Sequence, residues 1–178
     1  IIMKCVFFGP NLFSGIGQVT HTLSKLVYAD YIEFGKQVSK NYDVGFCFII
    51  PVPELIEMMK MYSKACKRGV VYMTVCETER VHDMYARLFE LSSTFYTPSE
   101  YASHILKRQY PEKNFPVLHH YASPNVHSFK KIPELENKYV FYHIGNIIDH
   151  RKNIHKVIEA FLRLEAPDAV LLLKATCN

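Results

Sequence analysis

Three loops in this 178-residue sequence carry residue types that could do chemistry. The first holds Gly9, Pro10, Asn11, Leu12, Phe13, Ser14, Gly15, Ile16 and Gly17, between an apolar run and a helical pattern. Glycines there let a backbone come close to a ligand, and the free N–H groups of a helix start favour an anion. The spacing is neither G-x-G-x-x-G nor a Walker A loop, so a plain strand-to-helix turn stays open beside it. The second loop runs from Gly145 and Asn146 to Arg151, Lys152 and Asn153. Asn153 reads as an N-cap, which puts two cations at the positive end of a helix dipole. That arrangement is unfavourable unless an anion sits there; a diphosphate would satisfy both side chains and the helix N–H groups. Two solvated basic residues are the plain alternative. The third is Thr74, Val75, Cys76, Glu77, Thr78 and Glu79. Glu77 could accept a proton or hydrogen-bond a sugar hydroxyl, or it could decorate the first turn of the next helix.

The nine histidines add little. His119 and His120 end an apolar run and could face a crevice, whereas His21 and His104 fall within helical patterns. No H-E-x-x-H or Cys/His cluster occurs, so no metal site is expected.

The elements that must position these loops alternate between two periods. Short apolar runs at 4–8, 44–50, 70–75, 94–97 and 115–119 read as strands. Val19, Leu23, Leu26 and Val27 form a helical stripe, as do Leu55, Met58, Met59, Tyr62 and Cys66, with Gly69 after it in a C-terminal position. Val81, Met84, Tyr85, Leu88 and Phe89 form another, and Ser99 reads as the N-cap of the next helix. Residues 122–138 lose the periodicity. Then 139–144 reads as a strand, Ile154, Val157, Ile158, Phe161 and Leu162 as a strong helical face, and 169–173 as a last strand. Strands alternating with helices imply parallel pairing through crossovers. The expected fold class is α/β. A doubly wound Rossmann-like sheet is placed at 1–130, a linker at 131–138, and the opening β-α-β of a second Rossmann-like domain at 139–178.

With 49% hydrophobic and 21% charged residues, the composition excludes a disordered or collagen-like chain. The net charge of +4 permits contact with an anionic membrane surface without arguing for it. No nucleic-acid module with interleaved aromatics is visible. Apolar runs are far shorter than a membrane span needs, and the first residues lack a signal-peptide layout. Five cysteines without C-x-x-C, three of them in or beside apolar runs (Cys5, Cys47, Cys76), read as buried reduced thiols. The expectation is a cytoplasmic protein.

In order and spacing, the motifs together resemble the GT-B glycosyltransferases, nearest to the family-4 group of retaining, nucleotide-sugar-dependent enzymes. The resemblance is carried by Gly15, Ile16 and Gly17; by Thr97, Pro98, Ser99, Glu100 and Tyr101; and by the 139–145 strand. The most specific stretch follows that strand: Arg151, Lys152, Asn153 and Ile154, then Val157, Ile158, Glu159, Ala160 and Phe161. The resemblance implies two Rossmann-like halves, a UDP- or GDP-sugar as co-substrate, no metal, and a glycan, protein or lipid acceptor. It implies that Glu77, Arg151 and Lys152 are catalytic, with the basic pair offsetting leaving-group charge. Gly15, Ile16, Gly17, Gly145, Asn146 and Asn153 would contact the donor.

The sequence departs from that family at Asn146, where arginine is common, and at Ala175, where glycine is common. It ends at Asn178, before a paired-glutamate motif could occur. A truncated second domain is therefore expected, with a homo-oligomer or a partner chain able to complete it. The competing readings are a non-catalytic module of glycosyltransferase-like fold and a dinucleotide-dependent oxidoreductase. The missing G-x-G-x-x-G and the lack of an acidic residue ending a clear second strand oppose the latter.

Overall fold

The computed structural model describes residues 3–121 and 132–176, the side chains of 175 and 176 excepted. The chain divides into two compact units, Ile1–Ser123 and Pro124–Asn178. Cys177 and the first residue of the expected linker, 131, lie outside the described residues; the rest of that linker includes a 3-10 turn at Pro133–Leu135.

The first unit runs β1 (Cys5–Gly9), α1 (Gly15–Leu26), β2 (Asp30–Glu33), β3 (Val44–Phe48), α2 (Pro53–Tyr62), β4 (Val70–Met73), α3 (Met84–Leu88), β5 (Phe95–Tyr96) and α4 (Glu100–Gln109). Its five strands are all parallel, in the order β2-β1-β3-β4-β5. This is an α/β, Rossmann-like sheet flanked by helices. The chain leaves β1 toward β2 and returns to β3 on the other side, so the strand order switches between β1 and β3. At such a switch the loops beyond the carboxyl ends of the strands part and leave a crevice.

Three local readings change. The strand β2 has the sequence DYIE, with no apolar run to announce it. It lies at the sheet edge with one neighbour, where charged residues are favoured. The expected strand at 115–119 reduces to isolated bridges, Thr94 with Asn114 and Thr97 with Val117. Pro116 accepts from Thr97 N at 2.9 Å but has no N–H to continue the ladder. On α1 the buried face is Gly17, Thr20 and Ser24, while Leu26 and Val27 of the expected stripe are exposed. Small residues let the helix approach closely: a Cβ on Gly9 would lie 3.3 Å from the Thr20 methyl. The buried hydroxyls are satisfied within the helix, Thr20 donating to Ile16 O at 2.7 Å and Ser24 to His21 O at 2.8 Å.

The core is aromatic. Phe89 sits at its centre with ring centroids 4.9 Å from Phe95, 4.8 Å from Tyr110 and 5.2 Å from Phe115. Lys113 donates to Phe89 O at 2.6 Å and Ser92 O at 3.1 Å, closing the carbonyl end of the segment after α3. Ser99 caps α4 by accepting from Ala102 N at 3.2 Å. Cys47, Cys66 and Cys76 are buried free thiols, but Cys5 is only half-buried because it opens β1 at the amino edge of the sheet. Burial raises the pKa of Cys47, Cys66 and Cys76. A thiol reagent at neutral pH should therefore modify Cys5 while those three react only on unfolding; modification of Cys47 in the native protein would contradict this packing.

The second unit holds β6 (Tyr139–Asn146), α5 (Ile154–Leu162) and β7 (Ala169–Thr176). The two strands pair in parallel, Tyr142 opposite Leu172. Phe141 meets Phe161 of α5 with centroids 6.1 Å apart. Phe141 nevertheless stays half exposed and Tyr139 largely exposed, and the alternate residues Val140, Tyr142, Ile144 and Leu172 are exposed on the other face. Among the described residues no helix is long and apolar enough to cross a membrane.

Candidate functional site

Parallel pairing brings the loop after β1, the segment after β4 and the segment after β5 to one edge of the first sheet. Gly15, Ile16, Gly17 and Glu77 share that edge. The second unit places Gly145 and Asn146 at the carboxyl end of β6 and Arg151, Lys152 and Asn153 in the turn that leads into α5. The candidate residues thus form two groups, one on each unit.

In the first group the β1–α1 loop is tightly built. Ser14 caps α1, its hydroxyl accepting from Gly17 N at 2.9 Å and donating to Asn11 O at 3.0 Å. Asn11 Oδ1 accepts from Phe13 N at 3.2 Å. A Cβ on Gly17 would collide with the Asn11 carbonyl and lie 2.8 Å from that of Pro10, whereas one on Gly15 would meet open space. Gly17 is thus required for the loop to fold back on the helix. Gly15→Ala should be neutral or stabilising by about 0.5–1 kcal/mol, since alanine is the better helix former. Gly17→Ala should cost about 1–3 kcal/mol through overpacking. Thermal unfolding of the two variants checks this; equal melting points would refute it.

Tyr31 of β2, which sequence reasoning missed, fixes the same loop from the other side. Its hydroxyl donates to Pro10 O at 2.5 Å, and its ring meets His21 edge-on at 5.2 Å. Burial, with a lesser contribution from the Glu33 charge, pushes its pKa up to about 12. Tyr42 and Tyr85 are likewise pushed up to about 12, chiefly by burial. A phenol whose folded pKa exceeds its unfolded value contributes stability that is whole below about pH 10 and lost as pH rises toward 12. Alkaline titration should show these tyrosines ionising together with unfolding in that window; free ionisation near 10 in the folded state would contradict it.

Glu77 is exposed and lies beyond β4. It is not in the first turn of a helix, since α3 begins at Met84. Beneath it Thr74 is buried and donates to Ile49 O at 2.8 Å, and the Cys76 thiol faces Ala102 O at 3.6 Å. His119 Nδ1 lies 3.1 Å from Pro98 O, and the His120 ring is 5.4 Å from Phe48 at the end of β3. Burial lowers the pKa of His120. Both histidines therefore reach the carboxyl edge.

In the second group Asn153 departs from its expected role. It holds the N-cap position in the left-handed conformation (φ 49°, ψ 34°), and its side chain makes no capping hydrogen bond. Asparagine is among the few residues that tolerate that conformation, so the tight exit from the 3-10 turn His150–Lys152 selects it. Asp149, not singled out from the sequence, caps that turn and binds Arg151. Its carboxylate accepts from Arg151 Nε at 3.1 Å and Nη2 at 2.8 Å, and from Arg151 N at 3.1 Å. An acid two residues before a basic pair was the available signal. A Cβ on Gly145 would lie 3.4 Å from His143 Nε2 and 3.5 Å from Lys152 Cγ, so the loop packs closely over the strand. His143 Nε2 is buried without a hydrogen-bond partner among the described residues.

Among the described residues no cluster of three or more His, Cys, Asp or Glu is placed to hold a metal ion. A surface cavity of about 550 Å³ lies at the opposite, amino edge of the sheet, lined by Cys5, Asp30, Lys40 and Tyr42 among others. No family model matches the sequence, and no curated protein matches it.

Proposed function

We propose that this chain takes part in glycosyl transfer from a nucleotide-sugar donor to an acceptor, with retention of configuration, as a GT-B protein resembling family 4. The observation that carries the reading is the start of α5. The side chain of its N-cap residue, Asn153, makes no capping hydrogen bond, and Lys152 and Arg151 stand in the turn just before it. An uncapped helix start flanked by cations suits a diphosphate. Lys152 and Arg151 would offset the charge that develops on the leaving nucleotide, an electrostatic role that does not itself require a metal. On the first unit, the carboxyl edge suits the acceptor, with the exposed Glu77 as the carboxylate that would accept a hydrogen bond from a sugar hydroxyl. Two parallel α/β units in one chain, each with a glycine-bearing strand-to-helix loop, agree with this reading.

A second reading is a non-catalytic module completed by another chain. The bidentate Asp149 pair, which already neutralises Arg151, and the exposed apolar sheet face of the second unit favour it. Calorimetry with UDP, GDP and NAD separates the readings. Binding of UDP or GDP that weakens in Lys152→Ala supports the transferase reading. No binding of either, or binding of NAD alone, refutes it.

A further inference from the structure

Buried polar atoms in folded proteins are almost all hydrogen-bonded, and an unpaired one costs stability unless something else satisfies it. His143 Nε2 is such an atom among the described residues, although the ring as a whole is only half-buried. On the strand β6, Phe141, His143 and Gly145 share one face, and the ring contact of Phe141 with Phe161 shows that this face meets α5. The imidazole leans along that face toward the carboxyl end of the strand. A Cβ built on Gly145, two residues further on, would lie 3.4 Å from Nε2. The same point lies 3.5 Å from Lys152 Cγ and 3.7 Å from Lys152 Cδ. Nε2 is thus sealed beside the flexible stem of Lys152, yet the Lys152 ammonium does not bond to it.

We propose that His143 Nε2 donates a hydrogen bond to an oxygen of a bound diphosphate, which it holds jointly with Lys152. The inference rests on the reading that the start of α5 takes a diphosphate. The Asn153 side chain leaves the first N–H groups of α5 without a cap, and Lys152 adds an ammonium, so this end of the unit is rich in donors. A ligand that satisfies those donors and Nε2–H together must be rich in acceptors, as an anion is. Extending the Lys152 stem toward such an anion takes the cover off Nε2 and opens it to the same oxygens. A sealed water is the poorer occupant, because it needs several polar partners and the nearest Lys152 atoms are methylenes. The nearby Asp149 carboxylate is already engaged by Arg151.

The test is calorimetry of UDP and of inorganic pyrophosphate with the whole chain, comparing the native protein with His143→Leu, His143→Gln and Lys152→Ala. His143→Leu keeps most of the volume and removes the nitrogen. It should weaken both ligands about tenfold or more, as expected for one hydrogen bond to a charged group. His143→Gln, whose amide nitrogen reaches about as far as Nε2, should restore most of that loss. Urea unfolding should find His143→Leu at least as stable as the native protein, since no buried nitrogen is left unpaired. Unchanged affinity in His143→Leu overturns the proposal, as does an equal loss in His143→Leu and His143→Gln. So does lowered stability of both variants with affinity falling in step, which marks the imidazole as structural. UDP binding that depends on Lys152 but not on His143 refutes the role of His143 and leaves the transferase reading. Pyrophosphate binding that depends on His143, without binding of UDP or GDP, supports the role of His143 and refutes the transferase reading. No binding of any of these ligands overturns both.

Discussion

Phe89→Ala should destabilise the first unit by about 3–5 kcal/mol, the range for emptying a buried aromatic site. Phe89 is 1% exposed and is ringed by Tyr85, Phe95, Tyr110 and Phe115. Its neighbours come from α3, β5 and the segment after α4, so the site cannot collapse by moving one side chain. Edge-to-face geometry adds to the loss, since each such pair is worth about 0.5–1.5 kcal/mol beyond area burial. Urea unfolding followed by far-UV circular dichroism checks this. A loss below about 1 kcal/mol would mean that the aromatic cluster repacks freely, contrary to close packing. Phe89→Leu should cost less, because it keeps most of the volume.

The double variant Arg151→Ala with Lys152→Ala should weaken UDP or GDP binding by about a hundredfold and leave the fold intact. Each charged hydrogen bond to a phosphate contributes about 1.5–3 kcal/mol, and 1.4 kcal/mol is tenfold in affinity. The two positions should not contribute equally. Arg151 must exchange its bidentate contact with Asp149 for the phosphate, so its net gain is smaller. Lys152→Ala should therefore carry most of the loss. Calorimetry on both single variants and the double variant measures the split. Unchanged affinity in the double variant would remove both residues from the site. A larger effect of Arg151→Ala would mean that the Asp149 pair does not compete with the ligand.

Which parts of the molecule were legible in advance follows from where each signal resides. Apolar runs announce β1, β3 and β4 because strands of a sheet covered on both faces are largely buried. The same kind of run announces β6 and β7, although Val140, Tyr142, Ile144 and Leu172 there are exposed. Pro53 at the start of α2, Gly69 after it and Ser99 before α4 are punctuation written in single residues. The loops that carry Gly15, Glu77 and Arg151 lie between such elements, so their place at strand ends could be read from order alone. Tertiary structure decided the rest. The strand β2 exists because β1 offers it an edge, and its four residues have no pattern of their own. The buried face of α1 is Gly17, Thr20 and Ser24 because close approach to β1 outweighs the larger transfer energy of Leu26 and Val27. Gly17 is demanded by carbonyls six and seven residues upstream, a contact that no local rule contains. Asn153 stands where the backbone turns left-handed, so its side chain does not cap. Arg151 looks like a free cation in the sequence, but the 3-10 turn folds it back onto Asp149. Propensity and periodicity act over one turn or one strand and can place elements. Which atoms those elements bring within a few ångströms of each other depends on the packed three-dimensional arrangement, and that is where the chemistry of the candidate site resides.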